Sequence, residues 1–157
     1  MENPTDSNRD LHRLIYHSQA TLTPATTLEE EFPRILATSR ERNTEDHITG
    51  ALLAYEGWFL QVLEGPHPKV VETFERIRRD PRHRSVTLLQ AEPLYKRQFA
   101  NWSMCGRHIS VRDEVILDIL GTKPKFSVDR LTPANALKLL EAITRVRGTY
   151  SRSGNGP

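Results

Sequence analysis

Apolar and polar positions change period several times along the chain, and each change marks an element. Leu11–Ser18 alternates with period two, with Leu11, Arg13 and Ile15 opposed to His12, Leu14 and Tyr16. Apolar residues fall on both faces, which predicts a first strand central in its sheet. Leu28, Phe32, Ile35, Leu36 and Ser39 then recur at helical spacing. Thr27 with Glu30 fits a capping box at the start of this helix, and Pro33 either kinks the helix or delays its start. Asn43 ends the helical pattern just before Ile48-Thr49-Gly50. Ile48–Tyr55 and Trp58–Leu63 are strand-like runs joined by Glu56-Gly57, a short hairpin connection. Gly65-Pro66 breaks the second run. Val70, Val71, Phe74 and Ile77 then mark one face of a helix ending near Arg79. Ser85–Ala91 reads as a fourth strand and Phe99–Cys105 as a fifth.

Two more helices follow. Ser110 with Asp113 caps Val111–Leu120, and Gly121 closes it. Thr132-Pro133 opens the next, with Leu137, Leu140 and Ile143 on one face and Gly148 at its end. The order β-α-β-β-α-β predicts an α+β ferredoxin-like sandwich with one further strand. The two C-terminal helices are expected to cover the other sheet face. The expected organisation is a polar, unstructured 1–10, a folded core over 11–108, a helical extension over 109–148 and a polar tail over 149–157.

The 157 residues suit one domain with a real core. Hydrophobic residues make up 37% and charged residues 27%, as in a water-soluble globular chain. The net charge is +2 and the arginines are scattered among acids, so no face is obviously built for nucleic acid. No run approaches the roughly 20 apolar residues of a bilayer span, and acidic Met1–Asp10 does not resemble a signal peptide. A single cysteine, Cys105, fits a reducing compartment, and the expected location is the cytoplasm.

Gln61 stands apart from this ordinary composition. It interrupts the apolar run Trp58–Leu63, and an unpaired buried amide costs roughly 1–3 kcal/mol. A glutamine there needs partners, which suggests a polar site inside an apolar pocket. Taken singly, the other candidates have plainer readings. Tyr16 would be a core tyrosine, Asn43 a helix terminator, Asp80-Pro81-Arg82-His83 a turn with a solvated ion pair, and Trp102 and Met104 core.

Their joint occurrence is more specific. Leu14–Ser18, Asn43 before Ile48-Thr49-Gly50, Phe59–Gly65, Arg79–His83 and Phe99–Met104 come as five ordered motifs that resemble the BLUF family of blue-light sensors. The resemblance implies non-covalently bound FAD, its ring inserted between the two helices of the sandwich. It identifies Tyr16 as the photoactive tyrosine and Gln61 as the glutamine linking it to flavin N5 and O4. Asn43 would fix the O4 and N3 edge, while Ile35, Ser39 and Ile77 pack against the ring. Asp80, Arg82 and His83 would line the ribityl chain and phosphates, and Trp102 and Met104 would form a mobile pair on a strand beside the glutamine. Arg42 stands at a position the family leaves variable, where it would stack on the flavin or reach solvent. Thr21–Thr26, with Pro24, is slightly long for the loop before the first helix.

The residue types suit this role. A phenol can give up an electron and a proton, and an amide can rewire its hydrogen bonds by rotation or tautomerisation. The resemblance therefore implies light-driven electron and proton transfer from Tyr16 through Gln61, leaving a rearranged network and a red-shifted flavin. With no effector domain expected, the signal would pass to a separate partner: a cyclic-nucleotide enzyme, a transcription regulator or further copies of the chain. The apolar faces of the two C-terminal helices predict a homo-oligomer. The alternatives are a light-insensitive flavin-binding interaction module and an enzyme using Asp80, Arg82 and His83 on phosphates. Cys105 lacks the helical Asn-Cys-Arg-Phe setting of adduct-forming flavin sensors. The histidines at 12, 17, 47, 67, 83 and 108 show no metal-ligand pattern.

Overall fold

The run Leu11–Ala20 forms β1, the strand around which the rest is arranged. The computed structural model describes residues 10–21, 27–55, 57–109 and 130–145. Beyond β1 these comprise α1 (Leu28–Asp46), β2 (Thr49–Tyr55), β3 (Trp58–Pro66), α2 (His67–Arg79), β4 (His83–Pro93), β5 (Cys105–Ile109) and α3 (Pro133–Ile143). The sheet order is β4-β1-β3-β2-β5. β1 pairs antiparallel with β3 and β4, β2 pairs antiparallel with β3, and β5 adds parallel to β2. The first four strands with α1 and α2 are the expected ferredoxin-like sandwich, and β5 is the further strand.

Both faces of the sheet are covered, as the two-sided pattern of β1 requires. Leu14, Tyr16, Leu52, Phe59 and Leu63 join Phe32, Ile35 and Leu36 of α1 and Val70 and Phe74 of α2 in one core. Ile15, Ala51, Leu53, Leu60 and Val62 join Phe99 and Ala136, Leu139, Leu140 and Ile143 of α3 in the other. Thr132 caps α3, its hydroxyl accepting from the Asn135 N–H at 3.1 Å. The expected placement of this helix on the second face is what the structure shows. Val111–Leu120, Gly148 and both chain ends lie outside the described residues.

Several boundaries differ from the pattern. Thr27 caps α1 as expected, its hydroxyl accepting from the Glu30 N–H at 3.1 Å, but the Glu30 carboxylate closes back on that hydroxyl at 3.0 Å and not on the Thr27 N–H as a full capping box would. Pro33 does not delay α1, which begins at Leu28 and runs through it. The helix also continues past Asn43 to Asp46, ending at His47 in a left-handed conformation (φ 59°). Asn43 therefore sits in the last turn and does not terminate the helix; its carbonyl accepts from the Ile48 N–H at 2.8 Å. On α2 the buried face is Val70, Thr73 and Phe74, with Ile77 half-buried and Val71 43% exposed. Val70 shares its stripe with Thr73, Phe74 and Ile77, three, four and seven residues on, whereas Val71 stands about 100° off that stripe.

The largest correction concerns Phe99–Cys105. The strand is Cys105–Ile109, and residues 94–104 form a loop held by side chains. The buried Glu64 carboxylate accepts from the backbone N–H groups of Gln98 and Phe99, each at 2.8 Å. Amides committed to a carboxylate cannot enter a ladder. Farther along, the Trp102 carbonyl accepts from the Gly50 N–H at 3.1 Å. Only glycine fits at Gly50, since a Cβ there would lie 2.0 Å from the Val62 carbonyl oxygen of the neighbouring strand.

Candidate functional site

Two helical stripes and one strand build a cleft of about 340 Å³ on the α1–α2 side of the sheet. From α1 come Ile35, Ser39 and Asn43, spaced four apart so that they share one face, with Thr38 and Arg42 beside them. From α2 come Thr73 and Ile77, again four apart, with Arg76 and Arg79. Gln61 and Leu63 of β3 form the floor, since alternate strand residues share a face. Asp80 and Arg82, just past α2, complete the lining.

Tyr16 and Gln61 stand directly opposite on paired strands, which brings the two side chains together. Both are buried, and the Tyr16 hydroxyl donates to the Gln61 side-chain oxygen Oε1. Gln61 Nε2 in turn donates to Met104 Sδ at 3.3 Å. Next to it Asn43 Nδ2 donates to the Ser103 carbonyl at 2.8 Å, and Arg40 Nε to the Met104 carbonyl at 3.0 Å. Tyr16 also packs against Phe74, with ring centroids 5.6 Å apart.

Electrostatics keep the tyrosine neutral. Burial raises the Tyr16 phenol well above its ordinary value, and the Asp80 charge adds to the effect. At the mouth, Arg82 grips Asp80 through Nη2 at 2.7 Å and Nε at 3.1 Å. Burial opposes ionisation of Asp80, but the hydrogen bonds and charge of Arg82 outweigh it and lower the carboxyl. His83 bonds Ser18 Oγ through Nδ1 at 2.7 Å and packs on Phe59 at 4.8 Å between centroids. Its burial lowers the imidazole to about 4, with Asp80 opposing and Arg82 assisting.

Eight of the twelve residues expected at the site line the cleft: Ile35, Ser39, Arg42, Asn43, Gln61, Ile77, Asp80 and Arg82. Tyr16 and Met104 lie buried behind Gln61. The other two stand elsewhere. His83 is on β4, packed against Tyr16 and Phe59 and absent from the lining. Trp102 packs half-buried into the core beneath α3 on the opposite sheet face. Neither Trp102 nor Met104 is on a strand, because β5 begins at Cys105. Thr38, Leu63, Thr73, Arg76 and Arg79 line the cleft without having been expected there. Thr73 was legible in principle, standing four residues before Ile77 and three after Val70. Arg76 and Arg79 had no such signal, as arginines late in a helix are ordinary.

The residues fit a flat heterocycle with one polar edge. Ile35, Leu63 and Ile77 supply apolar surface, and two buried amides meet at one side of the cleft. Gln61 has spent its oxygen on Tyr16 and one N–H on Met104, and retains a second N–H. Asn43 has donated one N–H and retains the other N–H and its oxygen. A donor–acceptor set of this kind complements an imide edge such as that of a flavin. Among the described residues no group of His, Cys, Asp and Glu could hold a metal ion, and no helix is long and apolar enough to cross a membrane.

Known proteins agree with this reading. The family described as "Sensors of blue-light using FAD", BLUF, matches residues 11–105. Photoactivated adenylate cyclase subunit beta of Euglena gracilis is 42% identical over 95 residues, which is 60% of this chain and 11% of that protein. The chain thus spans about a tenth of the length of that relative. Among solved structures, the photo-activated state of BlsA superposes with a TM-score of 0.73 at 26% identity, covering 87% of this chain and 96% of that one. The dark state of BlrB, a BLUF protein, gives 0.68 at 30% identity, covering 85% and 95%. With the matched segment spanning both helices of the cleft and the Tyr16–Gln61 pair, the chain belongs to the BLUF family of blue-light sensors, and its cofactor is FAD.

Proposed function

We propose that Tyr16 and Gln61 are the light-responsive pair of this sensor, and that residues 94–104 carry their state to α3. The observation that carries the reading is the buried chain of hydrogen bonds from the Tyr16 hydroxyl through the Gln61 amide to Met104. When bound, the flavin absorbs blue light and supplies a strong electron acceptor. Tyr16 is the donor: a phenol held neutral by burial gives up its electron and hydroxyl proton together. Gln61 receives that proton at the oxygen already bonded to Tyr16; the electron and one Gln61 proton, from oxygen if the amide turns or from nitrogen if it tautomerises, later return to Tyr16, so no net oxidation remains. Its amide is left turned or tautomerised, with donor and acceptor exchanged. Met104 Sδ then no longer faces the same N–H, and the end of the 94–104 loop is released to move.

Asn43, Ser39, Ile35 and Ile77 hold the ring in this account, with Arg42 at the rim. Asp80 and Arg82 hold the polar tail, and His83 supports Tyr16 from behind. Trp102 acts through the loop, because its side chain lies on the far face. The sensory core is 11–108, the extension 109–148 is the output segment, and a separate effector protein receives the signal. The name of the Euglena relative pairs such a sensor with an adenylate cyclase, and this supports a cyclic-nucleotide enzyme as partner class. α3 spends its apolar face on the sheet, so this helix offers no ground for a homo-oligomer.

The test is spectroscopic. Under blue light the FAD-loaded protein gives a reversible shift of its absorption to longer wavelength, and Gln61→Leu abolishes the shift without releasing FAD. A Gln61→Leu protein that retains the normal shift contradicts the mechanism.

A further inference from the structure

Thr73 has no place in the mechanism above, yet among the described residues its hydroxyl oxygen lines the cleft shielded from water and without any hydrogen-bond partner. The residue is 6% exposed, and its Oγ1 makes no hydrogen bond among the described residues. A threonine within a helix ordinarily satisfies itself by donating to the carbonyl one turn back. Thr73 makes no such bond, and water does not reach the oxygen. It lines the same cleft as Asn43 and Gln61, whose free N–H groups and oxygen define its polar side.

We propose that Thr73 is a cofactor-binding residue, its hydroxyl donating a hydrogen bond to a ring carbonyl of the flavin. The assignment rests on the family's use of FAD and on the cleft being its seat. Threonine occupies two rotamers in helices, so one rotation about Cα–Cβ turns the hydroxyl toward whatever fills the cleft. A group that finds no partner within the chain and gains one from the flavin adds to affinity twice over, through the bond gained and the orphan removed. Valine is the informative replacement, because it keeps the shape and removes only the hydroxyl.

The test compares Thr73→Val and Thr73→Ser with the unaltered chain in three measurements: FAD dissociation constant, the infrared carbonyl bands of the bound flavin, and melting temperature with and without FAD. Thr73→Val is expected to bind FAD about tenfold more weakly. It should move a carbonyl band to higher frequency and melt no lower than the unaltered chain when FAD is absent. Thr73→Ser should restore both affinity and band position. A Thr73→Val protein with unchanged affinity and unchanged carbonyl bands overturns the assignment. So does one that melts lower without FAD, because the hydroxyl would then have a partner within the protein. If the unaltered chain takes up no FAD, the reading of the cleft fails together with this proposal. Unchanged affinity together with unchanged carbonyl bands in the valine variant overturns the role of Thr73 alone.

Discussion

Gln61 is poised between two partners of opposite kind, a phenol that donates to it and a thioether that accepts from it. Turning the amide by half a turn would set its N–H against the phenol and its oxygen against the sulfur, so the two arrangements are chemically distinct. Tyr16→Phe removes the donor, leaves a similar shape, and is expected to eliminate the light-induced absorption shift while FAD stays bound. His83 gives a prediction of a different sort. An unfolded chain protonates this imidazole below 6.5, and the folded chain only below about 4. Between those values the unfolded state holds more protons, so stability falls as pH drops through that window. The loss amounts to roughly 3 kcal/mol by pH 4. Urea denaturation at pH 7, 5.5 and 4 should show it, and His83→Gln should flatten the slope. Gln61 was legible as a candidate because an amide in an apolar run needs partners, whereas Tyr16 and Asn43 stood out only through their joint occurrence with the other motifs. The placement of Trp102 was not legible, since in a loop no period tells which face a side chain takes.

At the scale of elements, the loop 94–104 joins the two faces of the molecule. Its far end touches Gln61, Asn43 and Gly50 through Met104, Ser103 and Trp102. Its middle is fixed on the opposite face, where Glu64 accepts from Arg13 Nε at 3.1 Å as well as from two backbone amides. Arg13 also donates to the Gln98 side chain at 3.0 Å, and Gln98 donates to Glu141 of α3. Glu64 is fully buried, and removing one partner of a buried ion pair typically costs 3–5 kcal/mol. Glu64→Gln should therefore unfold at markedly lower urea concentration. Gln98→Ala is milder and more telling, because it removes the loop's polar link to α3 while leaving Gln61 and Met104 alone. The absorption shift should persist in it, while the light-dependent change in hydrogen exchange over Pro133–Ile143 disappears. The misreading of Phe99–Cys105 as a strand has the same origin. Glu64 captures amides 34 and 35 residues away, and a local pattern carries no trace of so distant a partner.

For the whole molecule, the two-sided apolar pattern of β1 already required cover on both sheet faces, and α1, α2 and α3 provide it. Although β5, reached through a loop, escaped the pattern, the hairpin and the order of the first six elements were legible, because a two-residue connection fixes one pairing and each change of period marks an element. The cleft was less so, since its walls come from stripes on two helices whose mutual packing no single stretch of sequence encodes. Its chemistry was carried by a handful of residues in fixed order, which is why the family could be recognised before the geometry was known. The most direct test is the absorption spectrum of the purified, FAD-loaded protein in darkness and during blue illumination. A shift of the flavin bands to longer wavelength that decays in the dark, and that is absent in Tyr16→Phe and Gln61→Leu, is the expected result. Bound flavin whose spectrum ignores light, or a shift that survives both substitutions, contradicts the account.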